Sequence, residues 1–314
     1  MDTQEIKNLH CKLLESISGT VRIDFGLADV VDLVPSPDKQ CVADSPSKSY
    51  LGDVRGCRTA VLILSSHVSP QLVARSVAKA RDAKRALSDH LGDVVLEPIV
   101  ADVFRGLSFA VWPLQRGLSS LRMVRGFQRR LLRRRALCWL QDATRHTMRS
   151  DIGPDLLRTI YVAPLERVAE DGRLPPGLRD AAFLGLGRIR SAAWNPVTVL
   201  QHSDLWLGNF LLPLDRNAAR PSRWGFYIID WAGAMIAGQP FIDLVRFCMS
   251  SGTTAARLGS EIAAHCRIVQ CEPRDAISYS AAALGTLGMN LEHFPESRYL
   301  GMCRSVYDHV SAVV

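Results

Sequence analysis

Apolar and polar positions along the chain change their rhythm three times. Residues 3–18 carry Ile6, Leu9, Leu13, Leu14 and Ile17 at helical spacing, which predicts a short amphipathic helix. The pattern then turns strand-like, with the apolar runs DVVDLV (29–34) and TAVLIL (59–64) separated by the turn-rich stretches 35–40 and 45–49 and by Gly52 and Gly56. A helix is predicted over 69–91, with Ser69 as its cap, Pro70 in its first turn and Gly92 as its stop. Two strands follow, 94–104 and 107–114, joined by Arg105-Gly106. Beyond Trp112-Pro113 the helical period dominates: 119–149, then 155–193 with a break at Pro175-Pro176-Gly177, then 240 to the end. Only 197–202 and 225–231 interrupt it as strands, on either side of the polar loop 215–223.

The pattern predicts an α+β chain in two parts: a small β-rich lobe over 1–113, a linker at 114–118 and a mainly helical lobe over 119–314. Hydrophobic residues at 47% and charged residues at 22% exclude wholesale disorder and a disulfide scaffold, and leave room for a sizeable core. The eight cysteines include no CxxC pair, so a structural zinc site is not expected and free thiols in a reducing compartment are. The first residues lack the basic start and apolar run of a signal peptide, and no stretch reaches 18 apolar residues without a charge. A cytoplasmic protein without a transmembrane segment is expected.

Chemistry concentrates in VLQHSDLWLGNFLL and GFYIIDWAGAMIAGQPFIDLVRF. A strand ends at Gln201-His202, Asp204 follows in a tight turn, and Asn209 comes five residues later. Phe210–Leu212 and Tyr227–Ile229 can pair as a hairpin, which would bring Asp230 beside Asp204 and Asn209. Two carboxylates and an amide oxygen are hard ligands that suit Mg²⁺ and not zinc. Phosphoryl transfer needs such a set: a carboxylate and an amide to hold the metal on the phosphates, and a second carboxylate to receive the proton of the attacking hydroxyl.

His202-Ser203-Asp204-(x4)-Asn209 with Ile229-Asp230-Trp231 resembles the catalytic loop and metal-binding strand of the aminoglycoside phosphotransferase and choline kinase family. Gly238-Gln239-Pro240-Phe241-Ile242-Asp243-Leu244 and Trp139-Leu140 with Thr147 extend the likeness over about 136–250. The resemblance implies a bilobal protein-kinase-like fold and a small-molecule kinase using ATP, or another nucleoside triphosphate, with Mg²⁺. It implies Asp204 as catalytic base, Asn209 and Asp230 as metal ligands and His202 as a supporting brace. Asp243 would anchor the loop, and Trp112 to Leu114 would be the hinge that receives the adenine.

The chain departs from the family in its first lobe. The strand TAVLIL has no phosphate-binding Lys; Lys48 in the preceding turn, or Arg75 and Lys79 on the following helix, are the substitutes. Residues 44–49 offer serines instead of a Gly-rich phosphate loop, and Asp82 is a candidate for the helix acid that would pair with the missing Lys. Ser203 stands where Gly is usual. These departures keep a second reading open, a catalytically inactive nucleotide-binding regulator.

The net charge of +7 equals the count of arginines in one segment, Arg122, Arg125, Arg129, Arg130, Arg133, Arg134 and Arg135. Leu121, Val124, Phe127 and Leu131 share a helical face there and are expected to join the core. Such an arginine run reads first as a solvated helix face. An anionic partner at 122–135, whether an acidic or phosphorylated substrate, an anionic lipid surface or nucleic acid, is a third reading, with nucleic acid the least expected because no aromatic interleaving accompanies the arginines. The acceptor, a small molecule with a hydroxyl, is not legible. An aminoglycoside or choline calls for an acidic pocket, and Glu166, Glu170, Asp171, Asp180, Glu261, Glu292 and Glu296 are scattered along the chain.

Overall fold

A computed structural model of the chain describes residues 8, 10–14, 26–29, 46–52, 57–214, 222–291 and 294–314. The first part is a five-stranded antiparallel sheet in the order β1-β2-β3-β5-β4, built from β1 (Gly26–Asp29), β2 (Ser47–Gly52), β3 (Arg58–Leu64), β4 (Val100–Phe104) and β5 (Leu107–Pro113). Period-two alternation in β3 sends Ala60, Leu62 and Leu64 to one face, where they meet Leu51, Phe109, Val111 and Leu13 and Leu14 of the helical residues 10–14. The other face, with Ile63, Ala110 and Trp112, is covered by Val73 and Val77 of α1 (Leu72–Ala86). The predicted strand 29–34 is present at Asp29, as the end of β1; its remainder lies outside the described residues.

Four sequence expectations in this part are corrected. Residues 47–49 are in strand β2 and not in a turn. Their inward position is filled by a serine, Ser49, whose hydroxyl bonds the buried His10 ring, so apolar alternation is absent although strand geometry is present. The helix over 69–91 breaks where Leu87 is extended; Ser88 then caps α2 (Asp89–Gly92) by accepting from Leu91 N. Ser69 does not cap α1. Its first free N–H groups are satisfied from the sheet, Val73 N by Ser65 Oγ (3.0 Å) and Ala74 N by Ser108 Oγ (3.1 Å). The run 94–104 is a strand only over Val100–Phe104; before it, Val94 accepts from Ile228 N (2.7 Å) and ties the first part to the second.

The segment 114–118 leads to the larger helical part and is itself tied down, since Arg116 and Leu212 exchange two backbone hydrogen bonds (3.1 and 2.7 Å). The helices are α3 (Arg122–Thr147), α4 (Pro154–Leu157) running through a π-turn at Arg158–Val162 into α5 (Ala163–Glu170), α6 (Pro176–Arg190), α7 (Ile242–Ser250), α8 (Ala255–Val269), α9 (Asp275–Met289) and α10 (Glu296–Ser311). Their core holds Tyr161, Trp194 and Tyr279 edge to face, with centroids 5.0–5.9 Å apart. Two small antiparallel pairs are set into this part: β6 (Val199–Gln201) with β9 (Met235–Gly238), and β7 (Phe210–Leu211) with β8 (Tyr227–Ile228). The second pair is the hairpin expected from the sequence, in the register Phe210↔Ile228 and Leu211↔Tyr227. Trp139 Nε1 donates to Leu91 O (3.0 Å), and Thr147 Oγ1 accepts from Leu200 N (3.0 Å), so α3 holds both the first part and strand β6.

The apolar stripe of the arginine segment is also corrected. Leu121, Met123, Val124, Phe127 and Leu131 are exposed, and burial on α3 begins at Leu132. No helix among the described residues is long and apolar enough to cross a membrane.

Candidate active site

The hairpin β7–β8 decides the geometry. Asn209 ends a 3₁₀ turn (Leu207–Asn209) just before β7, and Asp230 follows directly on Ile229 after β8. Ile229 N donates to Asn209 O (3.0 Å), which locks the two ends together. Asn209 is nearly buried, and its Nδ2 donates to Asp204 O (2.8 Å) and Asp204 Oδ2 (3.2 Å), leaving its Oδ1 for another partner. Asp230 adopts a left-handed backbone (φ 67°), a conformation costing most residues about 1–2 kcal/mol and tolerated best by Asp and Asn. Its carboxyl is pushed above the usual range by burial and then by the charge of Asp204, against the pull of Lys48. A carboxylate beside a second one is a place that attracts a cation.

The loop that carries Asp204 is fixed by its neighbours. Asp243, at the start of α7, accepts from the backbone N–H of His202 and of Ser203 (3.0 Å to the latter). His202 is buried; Asp204 N donates to its Nδ1 (3.3 Å), so Nε2 carries the proton and donates to Ile229 O (3.0 Å). The ring lies against Trp231, with centroids 4.5 Å apart. Ser203 has φ +73°, the region that favours glycine, and its hydroxyl donates to Gly233 O (2.8 Å), which offsets part of the strain.

These buried groups have consequences for stability. Burial pushes the His202 and His10 rings down to about 4 and also lowers His265. Each therefore contributes stability that is present above the unfolded value of about 6.5 and is lost as the pH falls through the folded one. Asp243 acts oppositely: burial raises it to about 6, and its contribution is lost as the pH rises through that value. Asp230, raised as well, acts in the same sense as Asp243, and the three histidines outweigh the two carboxyls. The melting midpoint is expected to drop by about 5 °C between pH 7 and pH 5, and to drop less in His202→Asn. Calorimetric scans at the two pH values check this.

Arg246 on α7 was not singled out from the sequence. Its Nη2 pairs with Asp204 Oδ1 and its Nη1 donates to Ser203 O (3.3 Å). Beside it lies a cleft of ≈540 Å³ lined by Ser203, Gly233, Arg246, Met302 and Leu287 on one side and by Arg75, Lys79 and Asp82 of α1 on the other. Asp82 pairs with Arg85 on its own helix, so it is not held by a strand cation. Lys48 stands on β2 opposite Ile63, on the face covered by α1, and is near enough to act on the charge of Asp230. Trp112 pairs with Val61 within the sheet, and the Leu114 N–H is donated to Thr59 O (2.8 Å), so Leu114 offers no free N–H at the expected hinge. Four of the carboxylates from which an acidic pocket could have been built are engaged elsewhere: Asp171 with Arg173 and Arg167, Glu166 with Arg190, Glu261 with Arg257 and Glu296 with Arg173.

No family model matches the chain, and no curated protein matches it. Solved structures do. The choline kinase LicA from Streptococcus pneumoniae superposes with a TM-score of 0.53 at 14% identity, over 97% of this chain and 99% of that one. An aminoglycoside phosphotransferase, APH(4)-Ia in a thermostable mutant form, gives 0.51 at 14% identity over 94% of this chain and 97% of that one. Its ternary complex with AMP-PNP and hygromycin B gives 0.52 at 14% identity, over 95% and 97%. The chain has the kinase-like fold of the small-molecule phosphotransferases. Within that kinase-like fold the likeness runs through both parts, the antiparallel sheet and the helices, and at such identities it is a likeness of fold.

Proposed function

We propose that the chain is an ATP- and Mg²⁺-dependent phosphotransferase acting on a hydroxyl group of a small molecule. The observation that carries this reading is the convergence of Asp204, Asn209 and Asp230 at one end of the β7–β8 hairpin, with the cation of Lys48 opposite. Among the described residues no three His, Cys, Asp or Glu side chains cluster as a metal cage. That fits Mg²⁺, which takes one or two protein ligands and completes its shell with water and phosphate oxygens. Asn209 Oδ1 and the Asp230 carboxylate would hold it. When bound, Mg²⁺ would offset the negative charge of the phosphates.

The chain's own residues do the rest. Asp204 receives the proton of the acceptor hydroxyl, held in place by Asn209 on one side and Arg246 on the other. His202, neutral and buried, keeps the loop's shape and takes no part in proton transfer. Lys48 substitutes for the strand Lys absent from β3 by reaching from the neighbouring strand to the nucleotide phosphates. A charge-assisted contact of that kind contributes about 1.5–3 kcal/mol. Lys48→Ala is therefore expected to raise KM for ATP about 10- to 100-fold, with Lys48→Arg intermediate, in steady-state assays with ATP varied. Trp112, Lys79 and the segment after Pro113 complete the nucleotide side in this reading.

The cleft beside Asp204 carries Arg75 and Lys79, while its acid Asp82 and its third cation Arg246 are each already paired, to Arg85 and to Asp204. A polycationic acceptor such as an aminoglycoside would meet repulsion there, and a neutral or anionic hydroxyl compound would not. The test is incubation with Mg–ATP and a panel of neutral, anionic and cationic hydroxyl compounds, with phosphorylated product read by mass spectrometry. Transfer to neutral or anionic members supports the reading; ATP left intact across the panel contradicts it. One observation favours the inactive regulator instead, the ion pair that occupies Asp204 Oδ1. On that reading Mg–ATP stabilises the protein, yet neither the wild type nor Arg246→Ala consumes it.

A further inference from the structure

The first turns of α3 are exposed on every side, although they carry five large apolar residues. Met123 is 87% exposed and Phe127 71%, and Leu121, Val124 and Leu131 are exposed as well. At 3.6 residues per turn, Met123, Val124, Phe127 and Leu131 fall within an arc of about 100°. The residues that α3 buries further on, such as Leu132, Ala136, Leu140 and Ala143, lie about half a turn away. The stripe therefore faces away from the body of the protein. A contiguous exposed apolar stripe of this kind marks a contact surface.

The arginines say what it meets. Arg133 donates to Gly252 O (3.2 Å), Arg129 lies against Gly252, and Arg135 lies against Gly225, so these three lean on the protein. Arg122, Arg125, Arg130 and Arg134 form no ion pair among the described residues. Arg130 and Arg134 border the apolar stripe. Arg122 and Arg125 sit in the first turn, where no acidic residue and no side-chain cap offsets the positive end of the helix dipole. Cations at that end are unfavourable in the free protein, and a nearby negative surface lessens that cost at long range.

We propose that residues 121–134 dock on an anionic membrane surface, with Met123, Val124, Phe127 and Leu131 entering the headgroup boundary and Arg130 and Arg134, beside the stripe, meeting lipid phosphates. An amphipathic helix with an apolar stripe and arginine borders matches such a surface. Nucleic acid would use the arginines and leave the stripe in water. A symmetric contact between two copies would bring Arg130 and Arg134 of one near those of the other, and so repel.

Co-sedimentation of the full chain with vesicles tests this. Binding is expected to phosphatidylcholine vesicles containing about one-third phosphatidylserine, and not to phosphatidylcholine alone. It should weaken about tenfold or more from 50 to 500 mM salt. Phe127→Glu and the pair Arg130→Glu with Arg134→Glu should each abolish it; these side chains are exposed, and unchanged circular dichroism and melting confirm the fold. Absence of binding by the wild type overturns the proposal. So does unchanged binding by Phe127→Glu, which would reduce the contact to charge alone. A dimer in light scattering that Phe127→Glu splits would assign the stripe to a second copy and also overturn it.

Discussion

Asp204→Ala is expected to lower phosphate transfer by about 10²- to 10⁴-fold while Mg–ATP still binds and the chain still folds. The structure separates this outcome from a structural role. The turn around Asp204 is held by Asp243 through the N–H groups of His202 and Ser203, and by the neutral ring of His202, none of which needs the Asp204 side chain. That side chain is partly open, on the same loop that walls the cleft at Ser203. Its removal takes away a proton acceptor and leaves the backbone in place. Asp204→Asn is the sharper variant, since the amide oxygen can still receive Arg246 and the amide cannot accept the hydroxyl proton. The loss should appear in kcat, with KM for ATP within a few-fold of wild type. A turn-stabilising aspartate would show the reverse, a fall in melting midpoint with kcat retained.

Asp230→Asn is expected to abolish Mg²⁺-dependent transfer, by about 10³-fold or more, and to leave the metal-free protein as stable as the wild type or more so. Here the carboxyl is already pushed upward, in part by the charge of Asp204, so that without a cation its ionised form is disfavoured. Asparagine keeps the shape, accepts the left-handed backbone at φ 67°, and removes the charge. The informative pair of measurements is melting with and without Mg–ATP. The wild type should gain stability from the ligand, and Asp230→Asn should start level or higher and gain little. Asp230→Ala, which pays the left-handed strain without a compensating side chain, should start lower.

The candidate site was legible because its parts lie in two short stretches joined by one hairpin. Asp204, Asn209 and Asp230 come together once Phe210 pairs with Ile228, a register that the apolar runs on either side of 213–224 already imply. Strand β2 was not legible, because its inward residue Ser49 is satisfied by His10, a contact between residues far apart in the chain. Lys48 was found as a candidate but placed in a turn, and its strand position is what puts it on the face covered by α1, near enough to act on the charge of Asp230. Arg246 meets Asp204 across 42 residues of sequence, and no local pattern marks such a pair. The arginine helix shows the same limit in another form. Helical spacing identified the stripe Leu121, Val124, Phe127 and Leu131 correctly as a face, but spacing cannot say whether a face is covered, and the body of the protein covers the other one. The expected hinge lies at the end of β5, where pairing with β3 consumes the Leu114 N–H.

The most direct measurement needs no knowledge of the acceptor. Water can stand in for the hydroxyl at a slow rate, so ³¹P spectroscopy of ATP incubated with the protein reports the chemistry itself. The expected result is slow appearance of ADP and phosphate that requires Mg²⁺, persists in Phe127→Glu, and disappears in Asp204→Ala and Asp230→Asn. ATP that remains intact with the wild type in the presence of Mg²⁺, or that is consumed equally by Asp204→Ala, would contradict the assignment of Asp204, Asn209 and Asp230 to phosphoryl transfer.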